Sequence, residues 1–170
     1  MHSSNKALII GTGFGGLYKG IYDNLGWAVT TIDIADPSAD FKTVASAIES
    51  GSGHNGSYWD TCHITTPNHT HYELADVCAL YSDIVFVEKP GVGSATLWSQ
   101  LLIDHHDTRI MMTKNNQYRE NIAEMAEAAD PKKGITRINW KNDNRVPKPG
   151  SWFTNKELAF GGVSRDLMPH

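Results

Sequence analysis

The feature that most constrains this 170-residue chain is Gly11-Thr-Gly13-Phe14-Gly15-Gly16, which follows the apolar run Ala7–Ile10 and opens a helical stretch. A GxGxxG between strand and helix forces a tight turn and lays the helix back on the strand. Gly11 allows the turn, Gly13 leaves room for a pyrophosphate to approach the backbone, and Gly16 is expected to let the helix pack closely. The helix N-terminus supplies N–H donors and the positive end of a dipole. Asp33 lies 17 residues past Gly16, near the ~20-residue spacing at which a carboxylate meets a ribose. That carboxylate repels a 2′-phosphate, and Ile34, Ala35 and Asp36 offer no cation to pair with one. NAD is therefore favoured over NADP, with Gly11, Gly13, Phe14, Gly15, Gly16 and Asp33 as candidate contacts.

Beyond the loop, β-branched runs alternate with helical ones. Strands are expected at Ala7–Ile10, Ala28–Ile34, Trp59–Thr65, Ile84–Glu88 and Arg109–Thr113. Helices are expected at Phe14–Leu25, Asp40–Ser50, His69–Tyr81, Ser94–His105 and Arg119–Ala129. Phe41, Val44, Ala45 and Ile48 should line one helix face, and Leu74, Val77, Cys78 and Tyr81 another. Ile84–Glu88 shows no alternation, as for a strand covered on both faces. Strand and helix alternating at this spacing give right-handed crossovers and a doubly wound parallel sheet, the α/β Rossmann fold.

The pattern changes after residue 117. Asp130–Gly134 reads as a turn, Ile135–Trp140 as an alternating strand, Val146–Trp152 as irregular, and Gly161–His170 as the start of a helix. The expected domains are 1–117, dinucleotide-binding, and 118–170, the beginning of a truncated α+β C-terminal domain. So cut, Ile135, Ile138, Trp140, Trp152 and Phe153 would form an apolar patch that drives self-association or leaves 130–170 mobile.

Four motifs stand in order along the chain: the glycine loop; Thr66-Pro67-Asn68 with His71; Glu88-Lys89-Pro90; and Gly161-Gly162 with Asp166 and His170. Together they resemble the signatures of the Gfo/Idh/MocA oxidoreductases, which act on sugars, inositols and related polyols with NAD or NADP. The resemblance implies that His170 is the acid/base, assisted by Asp166 and Lys89, and that Thr66, Pro67, Asn68, His71, Glu88 and Lys89 line the cofactor. Met168 departs from it, standing where many members have glycine. The chemistry suits the residue types. Lys89, just past a parallel strand, can hold a substrate oxygen, and Pro90 can fix the turn as a cis peptide. On a helix, Asp166 shares a face with His170 and can raise its basicity. Asn116, Tyr118, Arg119, Lys148 and Trp152 are weaker candidates for substrate contact.

Composition excludes other classes. A net charge of -4 without basic clusters gives no nucleic-acid footprint. No apolar run nears the ~20 residues of a membrane span, and MHSSNK is no secretory signal, so a cytoplasmic protein is expected. Cys62 and Cys78 should be buried, reduced thiols, and no metal-ligand spacing is evident. The expected partner is a small sugar or polyol, with a homo-oligomer or a complementing chain supplying the missing domain. A second reading is a non-catalytic NAD(H)-binding sensor or an inactive fragment.

Overall fold

A computed structural model describes residues 5–51, 59–118 and 148–161, together with 120, 122 and 124. The chain divides into two compact units, Met1–Thr113 and Lys114–His170. The first contains β1 (Lys6–Ile10), α1 (Thr12–Asn24), β2 (Ala28–Ile32), α2 (Val44–Glu49), β3 (Trp59–Ile64), α3 (His71–Ala79), β4 (Ser82–Glu88), α4 (Ala95–Asp104) and β5 (Arg109–Thr113). The strands form one sheet in the order β2-β1-β3-β4-β5, every neighbouring pair parallel. This is the doubly wound α/β sheet that the alternation implies. In the second unit, short 3₁₀ turns lie at Asn115–Tyr118 and Trp152–Thr154.

Chain direction decides which face each helix covers. The first crossover steps one way from β1 and the later ones step the other, so right-handed connections send α1 to one face and α2–α4 to the opposite face. On the α2–α4 face the register aligns Leu8, Cys62, Val85 and Ile110 across four strands. They pack with Val44 and Ala47, Ala75 and Cys78, and Leu101, one set from each helix. Leu8, Val85 and Leu101 are wholly buried, each contributing about 1.5–3 kcal/mol of apolar burial. Cys62 and Cys78 are unpaired and buried in this layer, where burial and the neighbouring Cys78 push the Cys62 thiol well above its ordinary value.

Several elements differ from the sequence expectation for physical reasons. β4 does alternate: Val85 and Val87 are buried while Ile84, Phe86 and Glu88 are partly exposed. The helix on their face, α1, packs over β1, β2 and β3. The helix expected from Asp40 starts at Val44, because Phe41 forms a parallel bridge with Ile32 and Thr43 caps the helix reciprocally with Ser46. The shorter helix buries Val44 and Ala47 and leaves Ala45 exposed. β2 ends at Ile32, since Asp33 turns into the loop. The third helix starts at His71 after a 3₁₀ turn at Asn68–Thr70. It buries His71, Ala75, Cys78 and Ala79, whereas Val77 is exposed. The strand expected at 135–140 and the helix start at 162–170 lie outside the described residues, as does most of 119–129.

Candidate functional site

The order of the strands reverses at β1, with β2 on one side and β3 on the other. Open α/β sheets bind ligands outside the carboxyl ends of their strands at such a switch point. The glycine loop leaves β1 here. Gly11 has φ +91°, and a Cβ on it would lie 3.0 Å from the Thr65 carbonyl group. Thr65 secures the loop by donating its backbone N–H to Ile10 O at 2.9 Å. Its hydroxyl lies 2.6 Å from Gly11 O and 2.9 Å from Ile10 O.

The glycines divide their work differently from the spacing rule. A Cβ on Gly15 would approach Ile9 Cγ2 to 2.6 Å and Thr65 Oγ1 to 2.8 Å, whereas one on Gly16 meets nothing within 4 Å. Gly15, and not Gly16, therefore brings α1 close to the sheet. Gly13 also faces open space, the room that a pyrophosphate needs. Phe14, 36% exposed, lies in the first helical turn.

Asp33 sits beside this loop. Its Oδ2 accepts from the Thr12 backbone N–H at 2.9 Å and lies 3.0 Å from the Thr12 hydroxyl. Its Oδ1 accepts from the N–H groups of Ala35 and Asp36. Burial pushes its pKa up, but these donors outweigh it and hold the carboxyl below its ordinary value. Asp36 is a second carboxylate at the same point: its Oδ2 lies 2.6 Å from Thr12 Oγ1. That hydroxyl, with the Ser38 hydroxyl and N–H, holds Asp36 at about 2. Both acids are charged at neutral pH. The Lys42 ammonium donates to the Asp36 backbone carbonyl, six residues back, so a cation does stand at this turn, just beyond the stretch where its absence favoured NAD.

At the next strand end, Thr66 Oγ1 is 2.6 Å from Thr70 Oγ1, and Pro67 O accepts from the Thr70 N–H and hydroxyl. These bonds close the 3₁₀ turn that Asn68 begins. His71 has no exposed surface; its Nε2 is 2.9 Å from Thr66 O and its Nδ1 2.7 Å from Gly91 O. Burial lowers its pKa, opposed by these two carbonyls. Beyond β4, Glu88 O accepts from Gly91 N at 3.0 Å and closes a four-residue turn around Lys89 and Pro90, whose peptide bond is cis. Glu88 accepts through Oε1 from Tyr18 OH at 2.7 Å and through Oε2 from the Lys89 N–H at 3.2 Å. Lys89 is half-buried.

The structure thus collects Gly11–Gly16, Asp33, Thr66–Asn68 and Glu88–Lys89 along one carboxyl edge, while His71 lies beneath it. Sequence reasoning missed Tyr18, Thr65, Asp36 and Lys42. Tyr18 carried a signal in retrospect, because it follows Phe14 by one helical turn and points the same way. Asp166, His170 and Arg119 lie outside the described residues. Asn116 lies in a 3₁₀ turn, Tyr118 is 80% exposed, and Trp152 meets Phe153 edge-on at 5.1 Å. Lys148 is exposed. Among the described residues no cluster of His, Cys, Asp and Glu could hold a metal, and no helix is long and apolar enough to cross a membrane.

Comparison with known proteins adds a fold likeness and one sequence relative. No known family's sequence profile matches the chain. A protein of Amycolatopsis mediterranei (strain S699), designated the oxidoreductase subunit of UDP-kanosamine synthase, is 28% identical over 115 residues, 65% of this chain and 32% of that protein. The WlbA (WbpB) dehydrogenase of Thermus thermophilus, crystallised with NAD and UDP-GlcNAcA, superposes with a TM-score of 0.70 at 18% identity, covering 96% of this chain and 59% of its own. GenD2 of gentamicin A biosynthesis, crystallised with NAD, gives 0.71 at 19% identity, with 99% and 51% covered. The chain therefore spans about a third of the curated relative and little more than half of the solved structures.

Proposed function

We propose that this chain is the cofactor-binding half of an NAD-dependent oxidoreductase of the Gfo/Idh/MocA type. It would move hydride between the nicotinamide and a secondary-alcohol carbon of a sugar-like substrate. The observation that carries this reading is the convergence of the phosphate loop, Asp33 and the Lys89 turn on one carboxyl edge at the sheet's switch point. The residues fit a dinucleotide. Open space above Gly13 leaves room for the pyrophosphate, and Asp33 is ionised and held toward the loop for a ribose. Thr66, Pro67 and Asn68 follow at the next strand end. Asp33 and Asp36 put two negative charges where a 2′-phosphate would sit, which favours NAD over NADP despite Lys42.

NAD, when bound, supplies the hydride acceptor. The chain's residues do the rest. Lys89 holds the substrate oxygen and stabilises negative charge developing there. His170 takes or returns the hydroxyl proton, and Asp166 orients its imidazole. The segment from 118 onward would belong to the substrate domain. The relatives named for UDP-kanosamine synthase and crystallised with UDP-GlcNAcA make a UDP-sugar the first substrate class to try. A panel of UDP-sugars, inositols and free polyols with NAD, followed at the absorbance of NADH, tests this. Turnover of one substrate is expected, reduced about 10²–10⁴-fold in Lys89→Met with NADH affinity retained. NADH binding without turnover of any of these would overturn the oxidoreductase reading.

A further inference from the structure

We infer that His71 is a positioning residue for Lys89, acting through the backbone and not by touching a ligand. The inference rests on the dinucleotide reading above and deepens it. His71 is the first residue of α3, and its imidazole is wholly buried between two loops of the carboxyl edge. One nitrogen faces the carbonyl of Thr66, in the loop after β3, at 2.9 Å. The other faces the carbonyl of Gly91, in the turn after β4, at 2.7 Å.

The Gly91 end matters because it closes the lysine turn. Gly91 N donates to Glu88 O, so Lys89 and Pro90 are the inner residues of a four-residue turn whose last carbonyl His71 holds. Gly91 has φ +78°, and a Cβ on it would lie 3.3 Å from Met112 Sδ and 3.4 Å from Trp98 Cζ3. The turn is therefore walled by β5 and α4 and pinned by α3. On its other side Tyr18 holds the Glu88 carboxylate. Lys89 stands between two anchors, one from each face of the sheet. His71 also lies against the Thr66 loop, across which the dinucleotide would pass. A carbonyl left unpaired in so buried a place is costly, so loss of the imidazole releases the turn relative to the cofactor loop.

Competitive acetylation tests this without a known substrate. The protein is labelled with trace acetic anhydride with and without saturating NADH, and acetylation of Lys89 is compared with that of Lys19 by mass spectrometry. NADH should slow Lys89 labelling about fivefold or more in the wild type, and less than about twofold in His71→Phe, since a misplacement near 1 Å is enough to undo a site's geometry. Thermal melting checks that the variant is folded, and NADH affinity should stay within about threefold, because the phosphate loop is untouched. His71→Gln, whose amide does not fill the space of the ring between the two carbonyls, should show the same loss and carries the test if the phenyl ring is not tolerated. Full protection in a folded variant overturns the inference while leaving the dinucleotide site standing. Wild-type binding without protection of Lys89 removes the lysine from the site and the inference with it. Absence of NADH binding in the wild type overturns the functional reading itself.

Discussion

The two faces of the sheet are built from the same strands and have little else in common. On the side of α2, α3 and α4, Leu8, Cys62, Ile64, Val85 and Val87 are wholly buried in a dry aliphatic layer. On the side of α1, the alternate residues include His63, stacked on Phe86 at 4.5 Å and on Tyr18 at 4.4 Å. There Tyr22 OH lies 2.9 Å from His63 Nε2 and accepts from Thr61. On α1 itself Leu17, Ile21 and Leu25 are 64%, 54% and 63% exposed. One face therefore gives the unit its stability. The other spends its residues on polar and aromatic contacts that reach the carboxyl edge, through Tyr18 to Glu88.

Truncation separates the faces most sharply. Leu101→Ala, in the dry layer, should cost about 2–5 kcal/mol, and Ile21→Ala, on the exposed stripe of α1, no more than about 0.5 kcal/mol. Urea denaturation of both variants measures the contrast; equal losses would mean that the two faces are covered alike.

Acid should attack the α1 face through His63. Burial lowers the His63 pKa to about 4, below the ordinary histidine value. Its contribution is complete above about pH 6.5 and is lost as pH falls toward 4, because the unfolded chain takes up a proton that the folded chain refuses. The full loss is on the order of 3 kcal/mol. His63→Phe keeps the ring stack and removes the titration, so its urea midpoint should fall less between pH 6.5 and 4. Parallel curves for the two proteins would place the acid sensitivity elsewhere, His71, Asp33 and Asp36 being the next groups to examine.

The smallest effect distinguishes neighbouring glycines at the base of α1. Gly15→Ala should cost about 1–3 kcal/mol through contact with Ile9 and Thr65. Gly16→Ala, facing open space, should be neutral or gain up to about 1 kcal/mol of helix propensity. Thermal melts that rank the two in the opposite order would restore the packing role to Gly16.

The succession of strands and helices and the main loops were readable because their signals are local: alternating apolar runs, a glycine turn, and an acid at the end of a strand. Partners brought together by folding were not readable. Thr65 reaches Gly11 across 54 positions and Tyr18 reaches Glu88 across 70, and no spacing rule contains such pairs. The start of α2 was misjudged because Phe41 reads as helical by period but bridges to Ile32. The alternation of β4 was hidden because Ile84 and Phe86 are apolar yet only half covered. His71 belongs to a recognisable motif, but no spacing shows that its ring lies between the carbonyls of Thr66 and Gly91.

Whether the loop after β1 holds a dinucleotide is decided by fluorescence titration of the protein with NADH, with Gly13→Val as the comparison. A Cβ at Gly13 meets no protein atom within 4 Å, so the variant should melt like the wild type while the added methyls fill the space meant for the pyrophosphate. The account predicts saturable NADH binding by the wild type and none by a folded Gly13→Val protein. Equal binding by the two proteins, or no binding by the wild type, would contradict it.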